Sequence, residues 1–499
     1  MMPTLTRSPK ALRRPISGLF LLLSLGAAPG LAVEPPPAEL LSKRGEAFAA
    51  ALSAPEGEAL AGFVRDHLES RVARDGKTGQ VVDTLRAVTT ELGRVERHRV
   101  RVLDGGRLVF VYCRHAGNGA WQNYQFRVLP DDGYRLQLVF RAIAIEPAEL
   151  PSAALGTPGA ERWLLDRQAL LEREQPFSGV ALVRQRGREV YRWIHGLADA
   201  PKNLPVTRDS RFTMASGSKM FTAVAVLQLA QAGKLSLTDP LAKHLPSFPN
   251  PEFARRATLH QLLTHTAGAG DYWDATYEAA WDKITRLDQM LPFVLPHLEA
   301  TAPAAPSYSN SGFVLLGLVV EAVSGMSYYD YLDRHVFAPA GMKATGFPLR
   351  SDPTPSLAQP YHAKMEAGAV KKDVYLPAEL GARGTSAGGA ATTADDLLRF
   401  ADALAAGRLL DRAHLALWTG THAPYGSLET WYGYGTIVEK KDGVTAYGHG
   451  GMAPGVQFEF KIYPELDTVM VVMSNYDTIA AHELASTLDG LIRQGPRSP

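Results

Sequence analysis

The part of the chain after residue 160 has strand-like segments at its beginning and at its end, and this arrangement limits the folds that it can adopt. Two strand-like segments precede a long, mostly helical middle and four follow it, at 179–185, 189–194, 433–439, 444–449, 456–463 and 468–474. In the fifth, Val456, Phe458 and Phe460 alternate with polar residues, as in a half-buried strand. Strands at both ends with helices between them predict an α/β (α+β) domain, with one antiparallel sheet closed by its two halves and an inserted helical region.

A separate unit precedes this domain. Helical patterns fill three stretches of residues 38–92, and four strand-like segments follow near 94–103, 107–114, 121–129 and 134–145. The connections are rich in glycine with aspartate or asparagine, the residues of tight hairpin turns. Leu136, Leu138 and Phe140 alternate with polar residues, which predicts one sheet face covered by the helices. We therefore expect a small α+β domain at 33–148, a linker at 149–160 and a larger domain at 161–499.

The first 32 residues have the pattern of a secretory signal peptide. Four basic residues come before the apolar run 16–28, and Gly30-Leu31-Ala32 offers small residues for cleavage. The apolar run is shorter than the roughly 20 residues that a membrane span needs. The pattern predicts an exported protein, periplasmic or secreted, with no stable membrane anchor after cleavage; an uncleaved anchor is the alternative.

Composition narrows the classes of function. The 499 residues carry a formal net charge of +1, which does not favour nucleic acid as a partner. The single cysteine, Cys113, can form neither an internal disulfide nor a cysteine-based metal site. Composition therefore argues against nucleic acid without naming a partner, and the small-molecule or peptide substrate that we expect is indicated by the motifs that follow.

The strongest chemical signal is Ser216-Gly217-Ser218-Lys219, at the start of the predicted helix 219–232. Lys219 lies one helical turn after Ser216, hence on the same face. A serine hydroxyl is a poor nucleophile without a base, and lysine can act as one only if its pKa falls from about 10.4 to about 7–8. Burial and a helix N-terminus both lower a lysine pKa. By itself the pattern is also typical of an ordinary helix N-terminus.

Two further motifs follow in the chain. Tyr308-Ser309-Asn310 precedes the predicted apolar helix 313–323; a tyrosine can relay a proton, and an asparagine amide can orient a substrate amide. The alternative is a loop that caps the helix. His449-Gly450-Gly451 ends a predicted strand, where glycines would let a substrate lie close to the backbone. The alternative there is a glycine bulge beside a surface histidine.

In this order the three motifs resemble those of serine β-lactamases and penicillin-binding proteins, whose third motif is usually Lys-Thr-Gly. Flanking segments resemble the branch related to class C β-lactamases: Leu262-Leu263-Thr264-His265-Thr266, Pro339 to Met342, and Ser474-Asn475. The resemblance covers about residues 177–476. It implies a β-lactamase/transpeptidase-like fold and neither a metal nor an organic cofactor.

The resemblance also implies a role for each motif residue. Ser216 would be acylated, Lys219 would be its base and Tyr308 would share the proton transfer. Asn310 would bind the substrate amide, and the N–H groups of Ser216 and Met452 would hold the oxyanion.

The third motif departs from the family pattern. His449, Gly450 and Gly451 would line the substrate site, with histidine where many members have lysine. About a quarter of a histidine with an ordinary pKa is charged at pH 7, so it would attract a substrate carboxylate less than lysine does. This difference favours uncharged substrates.

Three other motif matches lack the context that their chemistry requires. Ser386 stands in a G-x-S-x-G pattern, but no strand is predicted before it and the next helix begins only near Thr393. Lys77-Thr78-Gly79 lies in the other domain, and His482-Glu483 has Ser486 where a second zinc-binding histidine would be needed.

The sequence thus predicts a serine hydrolase that forms an acyl-enzyme on Ser216 and hydrolyses an ester, an amide or a lactam. Esterases, D-amino-acid peptidases, carboxypeptidase-like enzymes and β-lactamases are the candidate types. The alternative is a non-hydrolytic penicillin-binding or sensor protein that is acylated and then stalls.

We predict that the mature N-terminus lies close to Val33, because the small-residue segment follows the apolar run there. Intact-mass measurement of the exported protein tests this. A mass equal to that of the full chain would contradict it and would favour the uncleaved anchor.

Overall fold

The computed structural model describes residues 38–495, except 55–57, 104–107, 118, 120, 130–131, 145–148, 175, 304, 353, 355, 367–368, 379 and 426. The predicted signal peptide, its cleavage site and parts of the predicted hairpin turns lie outside the described residues.

The N-terminal part forms a four-stranded sheet with helices on one face. Its elements are α1 (Ala38–Ser53), α2 (Glu58–His67), α3 (Ser70–Arg74), α4 (Thr78–Leu92), β1 (Val95–Leu103), β2 (Leu108–His115), β3 (Trp121–Leu129) and β4 (Arg135–Ala144). The strands pair antiparallel in chain order. Four helices stand where three stretches were predicted, because the short α3 is separate. The division into domains at 148 and 161 stays a prediction.

One face of this sheet packs against the helices, with Phe48 and Phe126 fully buried at its centre. Leu136 joins that core, whereas Leu138 is 40% exposed, contrary to the predicted alternation. A shift of register between Gln125 and Phe126 interrupts the regular pairing of β3 and β4 next to Leu138. The side chain of Phe140 lies outside the described residues.

The rest of the chain contains fourteen strands among its described residues. They are β5 (Gly179–Gln185), β6 (Arg188–His195), β7 (Leu197–Asp199), β8 (Leu204–Pro205), β9 (Phe212–Thr213), β10 (Tyr361–Glu366), β11 (Ala369–Pro377), β12 (Ala391–Thr392), β13 (Ala423–Tyr425), β14 (Ser427–Tyr432), β15 (Ile437–Lys441), β16 (Val444–Ala453), β17 (Val456–Tyr463) and β18 (Thr468–Ser474).

Eight of these strands form one antiparallel sheet in the order β13-β14-β15-β16-β17-β18-β5-β6. Strand β18 pairs with β5 along its whole length, so the two ends of the domain meet at this seam. The predicted sheet closed by two halves is therefore confirmed. The predicted strand 433–439 is shorter in the structure, because Gly435 adopts φ +66° in a turn before β15. Strands β13 and β14 were not predicted.

Thirteen described helices accompany the sheet. They are α5 (Pro158–Glu174), α6 (Lys219–Gln231), α7 (Leu241–His244), α8 (Pro251–Arg256), α9 (Leu259–Leu263), α10 (Ala275–Glu278), α11 (Leu291–Val294), α12 (Asn310–Ser324), α13 (Tyr328–Leu332), α14 (Ala338–Ala340), α15 (Ala394–Ala405), α16 (Arg412–Trp418) and α17 (Ala480–Arg493). Helix α5 begins at Pro158, inside the predicted linker.

The helices divide between the two faces of the sheet. One core lies against α5 and α17, and the other holds the inserted helical region, with α6 and α12 buried at its centre. Successive side chains of a strand point into the two cores in turn: on β18, Val471 packs in the core with the inserted helices, while Met470 and Val472 pack in the core with α17. Both α6 and α12 begin at a predicted motif, so the fold places the two motif-bearing helix ends side by side.

Among the described residues, no single helix is both long enough and apolar enough to cross a membrane. One pair, Asn310–Ser324 with Tyr328–Ala340, meets the length and composition criteria only when joined across a 77° bend.

The seam between β5 and β18 depends on Gly179. A Cβ at this position would lie 1.8 Å from the carbonyl oxygen of Met473. We therefore expect Gly179→Ala to lower the free energy of unfolding by about 3 kcal/mol or more, because the strands must separate to admit the methyl group. Urea-induced unfolding followed by tryptophan fluorescence measures this.

Ala181→Gly on the same strand is the matched control. It adds no atom and should cost only about 1–2 kcal/mol, through backbone entropy and the loss of one buried methyl group. Equal losses in the two variants would contradict the close approach at Gly179.

Candidate active site

Ser216 lies in a tight 3₁₀ turn, Ala215–Ser218, immediately before α6. The residue before it, Ala215, has φ +43°, a left-handed conformation that is unfavourable for a residue with a side chain. Two hydrogen bonds hold the Ala215 carbonyl: the Ser218 hydroxyl donates to it at 3.0 Å and the Gly389 N–H at 3.1 Å. The strained turn leaves the Ser216 side chain half-buried and accessible.

Lys219 is fully buried, and its Nζ has three oxygen neighbours. They are Ser216 Oγ at 3.2 Å, Asn310 Oδ1 at 2.6 Å and the Ala387 carbonyl at 2.7 Å. The pKa of Lys219 is lowered to about 7, because the effect of burial is larger than the opposite effect of the negative charge on Asp271. A neutral amine has two hydrogens for the amide and carbonyl oxygens, and its lone pair is left for the Ser216 hydroxyl. The geometry therefore allows Lys219 to accept the proton of Ser216.

Asn310 is the first residue of α12, and Asp271 fixes the orientation of its side chain. The Asn310 Nδ2 donates to both carboxylate oxygens of Asp271, at 3.2 and 3.1 Å, which turns its Oδ1 towards Lys219. Ser309 caps the helix by accepting the Gly312 N–H at 2.9 Å. Both polar atoms of Asn310 are therefore engaged by protein groups.

Asp271 is a site residue that sequence reasoning missed. It follows Gly268-Ala269-Gly270 and belongs to no recognised motif, and 39 residues separate it from Asn310. The only signal was an acidic residue shortly after the family-like segment 262–266.

Tyr308 closes the site over Lys219. Its ring centre lies 4.8 Å from the Lys219 Nζ, and the nearby Ser216 side chain offsets part of the rise in its pKa that burial causes. Burial raises the pKa of Tyr308 well above its ordinary value, so the phenol stays protonated near neutral pH. Ser216 thus has a proton acceptor in Lys219 and a neutral hydroxyl in Tyr308.

His265 supports the segment that carries Tyr308. Its Nδ1 accepts the Ser309 N–H at 3.0 Å, and its ring centre lies 4.4 Å from that of Tyr308 and 4.3 Å from that of Tyr432. Burial holds the pKa of His265 well below its usual value, so the ring is neutral. It acts in the structure as an uncharged spacer between two tyrosines.

His449 lies on β16 and is 5% exposed. Its Nε2 lies 2.9 Å from the Tyr432 hydroxyl, and its Nδ1 is hydrogen-bonded to the Gly450 carbonyl. A carbonyl can only accept, so Nδ1 carries the hydrogen and Nε2 accepts from the tyrosine. Burial lowers the pKa of His449 to about 4. The expectation that a quarter of this group is charged at pH 7 is wrong, because Tyr432 on the unpredicted β14 helps to bury the ring.

The glycines of the third motif let β16 pass directly against the serine turn. A Cβ on Gly451 would lie 2.1 Å from the Met214 carbonyl oxygen and 3.2 Å from the Gly217 nitrogen. Strand β15 pairs with β16 only as far as Gly448, so no described strand pairs with Gly450 or Met452 on that side. The Met452 side chain is 55% exposed.

In the structure none of the three other motif matches has the surroundings that its chemistry requires. Ser386 is fully buried, and its Oγ has no hydrogen-bond partner among the described residues. Lys77 precedes α4 in the N-terminal part, and Glu483 on α17 lies 3.8 Å from Arg167. Among the described residues, no group of three or more histidine, cysteine or acidic side chains could hold a metal ion.

The pKa of Lys219 should set the pH dependence of Ser216 reactivity. Only the neutral amine can accept a proton, so the rate of Ser216 modification by a neutral phosphonate should rise with pH and level off above a midpoint of about 7. In Asp271→Asn, the charge that raises this pKa is lost while an acceptor for Asn310 remains. The midpoint should therefore move to lower pH.

Labelling rates measured between about pH 5 and 10 test both statements. A midpoint near the ordinary lysine value, or one that moves upward in Asp271→Asn, would contradict the buried-amine interpretation.

Comparisons with known proteins identify the family of this chain. The family model Beta-lactamase matches residues 167–493. Penicillin-binding protein 4 of Amycolatopsis lactamdurans is 30% identical over 339 residues, covering 62% of this chain and 84% of that protein. Esterase EstB of Burkholderia gladioli is 31% identical over 273 residues, covering 48% of this chain and 68% of the esterase.

A solved structure of a penicillin-binding protein from Bacillus halodurans is similar with a TM-score of 0.57 and 32% identity, covering 65% of this chain and 98% of that one. Together the family match, the homologues and the shared architecture support a serine hydrolase in the broad sense. This chain belongs to the β-lactamase family and has the β-lactamase/transpeptidase-like fold.

Proposed function

We propose that this protein hydrolyses an ester or an amide through an acyl-enzyme on Ser216. The observation that carries the proposal is the fully buried Lys219 amine, 3.2 Å from the Ser216 hydroxyl and with a pKa of about 7. An ordinary structural lysine would be exposed or paired with a carboxylate, whereas this one contacts only neutral oxygens among the described residues. A base of that pKa is suited to activating serine near neutral pH.

The first half of the reaction forms the ester with the enzyme. Ser216 Oγ attacks the substrate carbonyl carbon while its proton passes to Lys219 Nζ. The N–H groups of Ser216 and Met452 hold the resulting oxyanion. The bond to the leaving alcohol or amine then breaks, and Tyr308 passes a proton to the departing atom, with Lys219 restoring the proton of the phenol.

The second half uses water in place of Ser216. Water attacks the acyl carbon, its proton passes to Lys219, and the bond to Ser216 Oγ breaks with that proton returning to the serine. The products are a carboxylic acid and the free enzyme.

Uncharged acyl groups suit this site better than those with a free carboxylate. His449, with a pKa of about 4, stays neutral at the position where many family members have a lysine. A carboxylate there would find no fixed positive charge, and such an interaction contributes about 1–3 kcal/mol in a partly buried site. The esterase homologue supports an ester as the bond that is cleaved.

The second candidate is a penicillin-binding or sensor protein that is acylated and then stalls. Two observations favour it: homologues that bear the name penicillin-binding protein, and the absence, among the described residues, of a carboxylate hydrogen-bonded to Ser216 or Lys219 that could activate water. The two candidates differ in the number of product molecules that each enzyme molecule forms.

We expect Ser216→Ala to abolish covalent labelling by a fluorophosphonate or a penicillin probe, because the hydroxyl that contacts the Lys219 amine is removed. Ser386→Ala is the control and should keep the labelling, since that hydroxyl is fully buried. Peptide mass spectrometry locates the label. A label on Ser386 would overturn the mechanism.

Continuous turnover separates the two candidates. With a chromogenic ester, many product molecules per enzyme would support hydrolysis. A burst of about one product per enzyme, followed by a stop, would instead establish the stalling protein.

A further inference from the structure

A cleft of about 430 Å³ lies at the end of α6 that is remote from Ser216. Its walls are the last turn of α6, the junction of α12 with α13, the start of α14 and the segment after α15. Helix α6 has 13 residues and rises about 1.5 Å per residue, so the cleft is about 20 Å from the Ser216 hydroxyl. The volume is in the range of small-molecule sites, roughly 300–1,000 Å³. The cleft is therefore large enough for a ligand that does not touch the active site.

The base of the cleft is apolar. Leu229, Leu409 and Tyr331 line it and are otherwise buried, and Met326 beside them is half-buried. The ring of Tyr331 lies 4.5 Å from that of His335, centre to centre. An apolar chain of a ligand would thus exchange water for carbon atoms along this surface.

The charged side chains of the cleft are all basic. Lys234, His335 and Arg408 line it and are exposed, and no carboxylate is among the residues that line it. Among the described side chains, none of the three has a carboxylate within 4 Å. Burial lowers the pKa of His335, and the positive charges of Arg334 and Lys234 lower it further. The cleft therefore presents two fixed positive charges and an imidazole that is largely neutral at pH 7.

These basic side chains do more than complement a helix end. Basic residues are favourable near helix C-termini, where carbonyl groups lack partners. At the end of α6, however, the carbonyls of residues 228–230 accept the N–H groups of residues 232–234 at 2.9 to 3.0 Å. The nearby carboxylate of Asp411 is engaged by His414, whose N–H and ring both contact it at 2.8 Å. The positive charges of the cleft thus remain available to an anion.

Gln228 holds the walls of the cleft together. Pro339 has no N–H, so the carbonyl of His335, four residues earlier, lacks its usual helical partner, and the chain forms a π-helical turn at Asp333–Phe337. Gln228 Nε2 donates to this carbonyl at 2.9 Å and to the Leu409 carbonyl at 3.1 Å. One side-chain amide thereby links α6 to two other walls, so the cleft is formed before any ligand enters.

We propose that this cleft binds a small carboxylic acid with an apolar chain. The carboxylate lies between Lys234 and Arg408, since the planar guanidinium matches a carboxylate and the ammonium adds a second charge. The chain lies along Leu229, Leu409 and Met326. The inference is independent of the proposed function, because none of these residues belongs to the Ser216 site.

Matched eight-carbon probes test the proposal by isothermal titration calorimetry at about pH 7.5, where a carboxylic acid is ionised. Octanoate carries the charge, octanamide keeps the size without it, and octylammonium reverses it. The full chain with Ser216→Ala is used, so that no amide is hydrolysed during the titration. We expect the Kd of octanoate to be about tenfold or more below that of octanamide, as for a charge-assisted hydrogen bond, and octylammonium to bind most weakly.

Three further variants locate the site. Lys234→Gln with Arg408→Gln removes both charges and should bring the ratio of the two Kd values close to one. Ala232→Phe keeps the charges but places a ring at an exposed position that lines the cleft, and it should weaken octanoate binding about tenfold or more. Arg255→Gln with Lys283→Gln is the matched control: it removes two exposed charges elsewhere in the helical region and should leave the ratio unchanged.

Each contrary outcome overturns the proposal for a different reason. Equal binding of octanoate and octanamide to the parent chain shows that the cleft does not select an anion. An equal fall of the ratio in both double variants shows general electrostatics, and undiminished octanoate binding in Ala232→Phe shows that the acid binds elsewhere. If octanoate does not bind and the Lys234 and Arg408 substitutions only lower the unfolding temperature, the two side chains serve the helix ends alone.

Discussion

The buried amine of Lys219 is the interaction on which the other features of the site depend. Moving an ammonium ion out of water costs several kcal/mol even after the protein relaxes. The lysine meets this cost partly by losing its charge, with a pKa of about 7, and partly by contacting three oxygens. Those oxygens come from the serine turn, the first residue of α12 and the loop at Ala387, so one side chain joins three segments that are far apart in sequence. Displacing any of them would leave a buried polar group without its partner.

The close packing of backbone around the serine turn follows from the same requirement. Water must be kept from Lys219, and side chains would hold the surrounding strands too far away. Gly451 allows β16 to pass directly against the turn, and Gly217 leaves room for the ring of Phe458 on β17. The turn requires an unfavourable left-handed conformation at Ala215, and two hydrogen bonds to the Ala215 carbonyl stabilise it. The N-terminus of α6, the edge of β16 and the strained turn at Ala215 thereby meet at the Ser216 hydroxyl.

The sequence allowed the sheet and the motif residues to be predicted, but not the interactions that determine their charge. Period-two patterns identified most strands, since a half-buried strand must alternate; β14, which lacks that pattern, was missed. Ser216 and Lys219 could be paired because they are one helical turn apart. Asp271 and Asn310, or Tyr432 and His449, meet only through the tertiary fold, and no local pattern marks such a contact. That His449 is largely neutral at pH 7 follows from its ordinary pKa, but the further fall of that pKa to about 4 could not be foreseen, because it depends on burial by residues of another strand.

Charge at the site is therefore a balance between groups that act on Lys219. A cation at position 449 would lower the lysine pKa further, whereas the anion at Asp271 raises it. Loss of the negative charge of Asp271 would therefore let Lys219 lose its proton more readily. The same carboxylate also holds the amide of Asn310, whose oxygen contacts the lysine amine. The orientation of that amide and the charge of the base thus depend on one side chain, which couples the geometry of the site to its protonation state.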